Sequence, residues 1–320
     1  MTDYQKDEFI KYEIQNIPAD IKRHLPYDKQ YGNLDNYISL YSKYLNDKET
    51  AVNYMKVADH VNKNIDDYML HLIETGNDKF VISGIRFKMN KGSLVPFAEI
   101  YFKNFDLVNN YDLEELKKVI YEKYYSFDPA MMCFFERNYE IINDCRCETV
   151  LVTGHINTIK KMNKPEKYNE VLLTEINDFD FYDRYISEYE SLKNENSIYE
   201  NQVTAESKST LKRAMKNGSV SKVFIDGQFA GLVAVARDRL FYCSGYYILE
   251  EILFKGFRGM NFGAALQRRL IEMLENDGHD FIFGTIVPDN TASMKTAEKC
   301  GRTGSGKYYF TNLQSKNQNE

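Results

Sequence analysis

Phe257-Arg-Gly-Met-Asn-Phe-Gly-Ala-Ala265 joins an apolar run, Tyr246–Phe254, to a segment in which Ala265, Leu266, Leu270, Met273 and Leu274 recur at helical spacing. The stretch reads as a strand, a glycine-containing turn and an amphipathic helix. Glycines here let the backbone approach a ligand, and the first amides of the helix point outward unpaired. Together with the helix dipole, those amides make a natural site for a pyrophosphate. Arg258 adds a charge-assisted donor in the same place. Taken alone, the same residues also describe an ordinary strand-to-helix turn with a surface arginine.

Working outward, the chain repeats itself. Ala98-Glu-Ile-Tyr-Phe-Lys-Asn-Phe105 resembles Glu250-Glu-Ile-Leu-Phe-Lys-Gly-Phe257, with identities at Glu99/Glu251, Ile100/Ile252, Phe102/Phe254, Lys103/Lys255 and Phe105/Phe257. Upstream, Tyr37-Ile-Ser-Leu-Tyr41 resembles Tyr185-Ile-Ser-Glu-Tyr189 at nearly the same offset. Each half then follows one plan. Helical patterns come first, at 34–45 and 53–73, then at 181–193 and 204–217. Strands follow at 79–88 and 95–102, then at 220–225, 230–237 and 246–254. In both halves a helix comes next, carried in the first by Leu113, Leu116, Val119 and Ile120, and then a strand, 130–135 or 281–287. Asp226-Gly227 between two apolar runs predicts a hairpin. The lysine-rich stretch 160–169, with Pro165, reads as a linker, and the polar tail after Asn312 as disordered. The resulting division is a first domain 1–158, a linker 159–173, a second domain 174–313 and a tail 314–320.

The 320 residues are 43% apolar and 28% charged, enough for a packed core and against a mostly disordered chain. With 41 Lys and Arg against 47 Asp and Glu, the net charge of −6 lacks the phosphate attraction that dominates nucleic-acid binding. No apolar run is long enough to span a membrane and the first ten residues are polar, so a cytoplasmic protein without membrane or nucleic-acid partners is expected. Cys133, Cys145, Cys147, Cys243 and Cys300, and the five scattered histidines, have no metal-ligand or redox spacing, so no metal is expected.

Downstream of the quoted stretch, Gly284-Thr-Ile-Val-Pro-Asp-Asn290 ends a strand and runs into Thr291-Ala-Ser-Met-Lys-Thr-Ala-Glu-Lys-Cys-Gly301. From about Glu175 to Phe310 this constellation resembles the GNAT superfamily of N-acetyltransferases. Arg258, Gly259, Gly263 and Ala264 fit its R-G-x-G-x-G/A pattern, and Asn290, Ser293 and Gly301 fit its N-x-x-S-x-x-x-A/Y-x-x-x-G segment. Asn261 stands where a loop glycine is usual, Ala297 where many members carry the tyrosine that protonates the leaving thiolate, and Arg302 where phenylalanine is usual. The resemblance implies an α+β fold of two tandem GNAT-like domains, each a mixed, mostly antiparallel sheet flanked by helices.

It further implies acetyl-CoA as co-substrate and an amine acceptor. Backbone groups of Leu253, Phe254 and Lys255 would pair with pantetheine between two splayed strands. The amides of Arg258, Gly259, Met260, Asn261, Phe262, Gly263 and Ala264 would hold the pyrophosphate, with Asn290 and Ser293 nearby. A carboxylate, acting directly or through water, would help deprotonate the amine. Glu251 is the first candidate and Glu250 the second, on opposite strand faces by alternation; Tyr308, Tyr309 and Ser293 are candidates for the acid. The first half has Asp106 in place of Arg258 and no loop glycine, so it reads as a degenerate copy. A longer acyl-CoA donor, or a CoA-binding tandem without turnover, are the alternatives. Either a monomer or a homodimer is compatible, since a tandem already supplies the sheet packing that single domains obtain by pairing.

Overall fold

The computed structural model describes all residues except 46, 58–63, 91–92, 108–109, 138–143, 196–203, 276 and 314–320. The chain divides into two units, residues 1–150 with 306–320, and residues 151–305. In chain order the elements are α1 (Asp3–Gln15), α2 (Ala19–Lys22), α3 (Tyr27–Tyr44), α4 (Lys48–Val57), β1 (His71–Gly76), β2 (Lys79–Asn90), β3 (Ser93–Lys103), α5 (Asn110–Tyr124), β4 (Met131–Glu136) and β5 (Cys145–His155). There follow α6 (Ile156–Lys161), β6 (Val171–Glu175), α7 (Tyr182–Glu195), α8 (Lys208–Asn217), β7 (Gly218–Ile225), β8 (Gln228–Leu240), β9 (Cys243–Leu253), α9 (Phe262–Met273), β10 (Phe281–Ile286), α10 (Thr291–Lys299) and β11 (Thr303–Asn312).

In the first unit β1, β2 and β3 form an antiparallel meander, and α5 carries the chain over to β4, parallel to β3. Residues 307–312 of β11 pair antiparallel with β4. Leu113, Leu116 and Ile120 of α5 pack on Ile85, Ala98, Ile100, Met132 and Phe134 of the sheet.

The second unit repeats the plan. The strands β6 to β9 form an antiparallel meander, and α9 carries the chain to β10, parallel to β9. One sheet face packs on α9 through Ala265, Leu266, Leu270 and Ile271. The other packs on α7 and α8 through Tyr185, Leu211 and Ala214. The expected hairpin is present: Ile225 pairs with Gln228, and Asp226 and Gly227 take the positive φ of 48° and 75° that a two-residue turn requires. Both units thus have the mixed, mostly antiparallel α+β architecture expected from the sequence.

Several boundaries differ from the sequence reading. The helix expected over 53–73 ends at Val57; residues 58–63 lie outside the described residues, and 71–76 form β1. The β1–β2 turn is Asn77-Asp78, both at positive φ, and its glycine, Gly76 at φ 92°, stands just before the turn and not within it. The stretch expected to be a linker begins as α6, whose Ile156 and Ile159 are buried in the second core. Arg268 donates to the carbonyls of Ile159 and Lys160 and fastens that helix end. The division therefore falls between Val150 and Leu151, and the last strand is grouped mostly with the first unit. The tail expected to be disordered, 314–320, lies outside the described residues.

The repeat also shifts register. Each unit has a bulge in the strand before its crossover helix: Tyr101 is the extra residue of β3, and Leu249 that of β9. The bulges are 148 residues apart, the same offset as Tyr37/Tyr185 and Tyr41/Tyr189. The Glu99/Glu251 match has an offset of 152, so it is four residues out of structural register. By the bulge, Glu250 corresponds to Phe102. Tyr37 and Tyr41 pack on the Phe102 ring at 5.5 and 5.1 Å between centroids.

Candidate active site

The strands β9 and β10 pair only from Gly245 to Tyr247 and from Phe281 to Phe283. Beyond that, β9 runs on to Leu253 and β10 to Ile286 with no ladder between them among the described residues. The result is a fork. The bulge at Leu249 resets the alternation along its β9 side. Leu249 and Ile252 face α7 and α8, while Ile248 and Leu253 face α9.

Glu250 lies on the α7 side, 4% exposed. Tyr185 and Tyr189, one turn apart on α7, both donate to its carboxylate. Tyr189 Oη stands 2.7 and 2.9 Å from the two oxygens. Tyr185 Oη also accepts from the Glu206 amide at 2.6 Å. Burial pushes the Glu250 carboxyl up to about 7, against the opposing pull of the two phenols. Burial raises both tyrosines far above their usual range. A carboxylate that titrates near neutrality, held by two donors, is suited to accept and return a proton.

Glu251 lies on the α9 side, as alternation requires. Gln267 Nε2 donates to it at 2.8 Å. Burial raises its carboxyl, and the Arg302 guanidinium draws it back down. Arg302 is 2% exposed. It enters the core because α10 ends in a Schellman motif. The Gly301 amide bonds Glu298 O at 2.9 Å, that of Arg302 bonds Ala297 O at 2.9 Å, and Gly301 takes φ 83°. Arg302 Nη1 reaches Gln267 Oε1 and Nη2 reaches Val152 O, both at 3.4 Å, while Nε has no hydrogen-bond partner.

The loop from β9 to α9 departs in part from expectation. The Leu253 carbonyl accepts from Arg258 Nε at 2.7 Å, the Phe254 amide bonds Ala230 O at 2.7 Å, and the Lys255 amide bonds Glu188 Oε2 at 2.9 Å. The groups expected to meet pantetheine are thus already engaged, and β9 backbone without a ladder partner toward β10 lies earlier, from Ile248 to Ile252. Arg258 Nη2 pairs with Glu188 at 3.2 Å, and Lys255 Nζ pairs with Glu195 at 2.8 Å. These two carboxylates of α7 neutralise both cations of the loop. The helix end itself is open. Asn261 is the N-cap of α9, in the left-handed region at φ 65°, and its side chain makes no capping bond. Gly259 takes φ 74° with open space where a Cβ would stand, and Met260 is 47% exposed. The amides at 261–264 therefore face outward without intrahelical partners.

Asn290 and Ser293 meet as a cap. Asn290 Oδ1 accepts the Ser293 amide at 3.1 Å and closes the first turn of α10. Asn290→Ala is expected to cost about 1 kcal/mol in a denaturant titration; an unchanged midpoint would deny the cap. A Cβ on Gly263 would stand 2.9 Å from Thr296 Cγ2 and Oγ1, so this glycine also sets how closely α9 approaches α10. Ala297 is fully buried. Tyr308 belongs to the first unit, its ring 4.9 Å from that of Phe135. Tyr309, also in the first unit, stacks on Phe134.

In the first unit the corresponding fork is bridged. The strands β3 and β4 pair over Phe97–Glu99 and Met131–Cys133. Past them, the buried Lys103 Nζ meets Glu136 Oε1 at 2.7 Å and Tyr12 Oη at 2.8 Å. Tyr12 donates to Asp106, and Arg137 pairs with Glu13. Helix α1 thus supplies the groups that close this fork. No comparable bridge spans the mouth of the fork in the second unit among the described residues.

Sequence reasoning missed Tyr185, Tyr189, Gln267, Glu188 and Glu195. The tyrosines were visible as part of the repeat, but their contact with Glu250 spans more than sixty residues. A depression of about 470 Å³ on the β6–β7 edge, lined by Leu172, Thr174, Phe224 and Asp226 among others, is lined by none of these residues. Among the described residues no cluster of His, Cys, Asp and Glu is arranged to hold a metal, and no helix is long and apolar enough to cross a membrane.

No family model matches the sequence, and no curated protein does. Among solved structures, the chain is similar to a tandem GNAT protein from the clavulanic acid biosynthesis pathway, at 12% identity and a TM-score of 0.46 over 85% of this chain and 98% of that one. It is similar to a GCN5-related N-acetyltransferase from Kribbella flavida, at 9% identity and a TM-score of 0.46 over 82% of this chain and 95% of that one. It is also similar to a Saccharomyces cerevisiae N-myristoyltransferase with bound myristoyl-CoA, at 11% identity and a TM-score of 0.41 over 82% of this chain and 70% of that one.

Proposed function

We propose that the second unit is an acyl-CoA-dependent N-acyltransferase that moves an acetyl group to a primary amine of a small molecule or protein. The observation that carries this reading is the fork. Its β9 edge lacks ladder partners, an uncapped helix N-terminus lies at its mouth, and a near-neutral carboxylate stands on β9. The amides at 259–264 suit a pyrophosphate, and the open space around Gly259 leaves room for one. Acetyl-CoA supplies a thioester carbonyl that a neutral amine can attack.

The chain's residues supply the proton handling. Glu250 accepts the amine proton on its carboxylate, which Tyr185 and Tyr189 hold in place as positioning residues. It is preferred to Glu251, whose carboxylate is committed to Gln267 and Arg302. With Ala297 at the position of the usual tyrosine, the protonated Glu250 is also the group placed to return a proton to the leaving thiolate. Tyr308 receives no role. The first unit, its fork bridged, is a scaffold.

A second reading, CoA binding without turnover, is favoured by the engagement of Arg258 and Lys255 with Glu188 and Glu195. An amine panel separates the two: acetylation of any amine excludes it.

Binding is tested by thermal unfolding. Acetyl-CoA at about 100 times its dissociation constant should add about 2.7 kcal/mol. For a unit of this size the midpoint rises by about 5–10 °C. Met260→Glu places a carboxylate on the exposed loop and should abolish the rise. This variant is preferable to Gly263→Glu, whose side chain would strike Thr296. No rise in the wild type would remove the loop as the cofactor site.

A further inference from the structure

The inner end of the fork in the second unit is closed on both faces. On the α7 face, Tyr247 Oη and Thr285 Oγ1 lie 3.0 Å apart, joining β9 to β10 just past their last paired residues. The Phe283 ring stands 5.9 Å from that of Tyr247. On the α9 face, Arg302 lies against Gly284, the first β10 residue beyond the pairing. A Cβ built on Gly284 would stand 3.3 Å from Arg302 Nη2 and 3.5 Å from Ile248 Cβ. Arg302 is nine-tenths buried and more, with Nε unpartnered. Glu251 and Gln267 complete the group around it.

We propose that this floor limits the length of the acyl chain, so that the donor carries a short acyl group, acetyl to butyryl, and not a fatty acyl chain. The inference rests on the acyl-CoA reading above and names its donor class. A long chain would need an apolar passage leading on from the inner end of the fork. It meets instead a hydrogen-bonded Tyr247–Thr285 pair on one side and the Glu251–Gln267–Arg302 group on the other. Displacing the Arg302 group leaves polar groups buried without partners, which methylenes cannot satisfy. The Tyr247–Thr285 pair is exposed, so a chain that parted it would run into water and gain no apolar burial. In a fitting apolar tunnel each added methylene would tighten binding about fourfold. Here the dependence runs the other way.

The test is calorimetric titration of the full chain with free CoA and with acetyl-, butyryl-, octanoyl- and myristoyl-CoA, each below its micelle concentration. Acetyl- and butyryl-CoA are expected to bind alike, and the two longer donors about tenfold or more weaker. Myristoyl-CoA binding as tightly as acetyl-CoA overturns the limit while leaving the acyl-CoA reading intact. Absence of binding by every member, free CoA included, overturns that reading and the limit with it. The double variant Glu251→Gln/Arg302→Met removes the pair together and leaves no orphaned charge; it should bring octanoyl-CoA to within about threefold of acetyl-CoA. A folded double variant with unchanged discrimination overturns the assignment to Arg302. If it does not fold, the wild-type series decides.

Discussion

Glu250→Gln is expected to lower kcat for acyl transfer by about 10²–10⁴-fold, the usual contribution of a positioned acid–base group. Glutamine keeps the shape and can still accept from Tyr189, so the acetyl-CoA-induced rise in unfolding temperature should persist. The pH profile gives a sharper signature. A base works in its unprotonated form, so wild-type kcat/KM should climb with pH to a plateau above about 7. The variant should lose that limb. Tyr189→Phe removes a donor that stabilises the ionised carboxylate, so its limb should move to higher pH, a change that a merely structural role would not produce. A Glu250→Gln enzyme with wild-type rate and profile would end the assignment of Glu250 as base.

Arg302→Met is expected to lower stability by about 3–5 kcal/mol, because it removes a buried guanidinium, leaves Gln267 Oε1 without its donor and leaves the partly buried Glu251 without its nearby counter-charge. For a unit of this size the midpoint falls by about 6–20 °C. The loss should depend on pH. With Arg302 gone, the folded-state pKa of Glu251 moves further above its unfolded value near 4.3. Between those two values the folded chain binds more protons than the unfolded one, so stability falls as pH rises through that window. The deficit should therefore be smaller at about pH 5 than at about pH 8. A deficit independent of pH would mean that lost packing, not the unpaired carboxylate, destabilises the variant.

Local chemistry made much of the fold legible. The Asp226-Gly227 turn, the α9 periodicity and the strand–turn–helix around Gly259 are short-range patterns, and the structure keeps them. Where the signal was weaker, elements were missed: β1 is a short strand whose turn holds no glycine at its two central positions, and α6 was hidden by the lysines that follow Ile156 and Ile159. The four-residue slip in the repeat has a single cause. Similar side chains were matched along β3 and β9, but pairing is set by the bulges at Tyr101 and Leu249, which leave no mark on composition. The same bulge brings Leu249 and Glu250 to one face of β9, so parity counted back from Lys255 could separate the two glutamates but not rank them. Partners did that. Tyr185 and Tyr189 come from α7, Gln267 from α9 and Arg302 from beyond α10, contacts that no local window contains.

The grouping of residues 306–320 with the first unit has a consequence for the order in which the protein is made. The second unit is one uninterrupted segment, 151–305, and all of it is translated before the strand that pairs with β4. Until then the first unit, although N-terminal, has β4 as a bare edge, its Met131–Glu136 backbone open to chance pairing. A strand made after the whole second unit thus completes the first, and a chain that stops at Ser305 keeps every residue of the fork in the second unit while leaving the first unit unfinished.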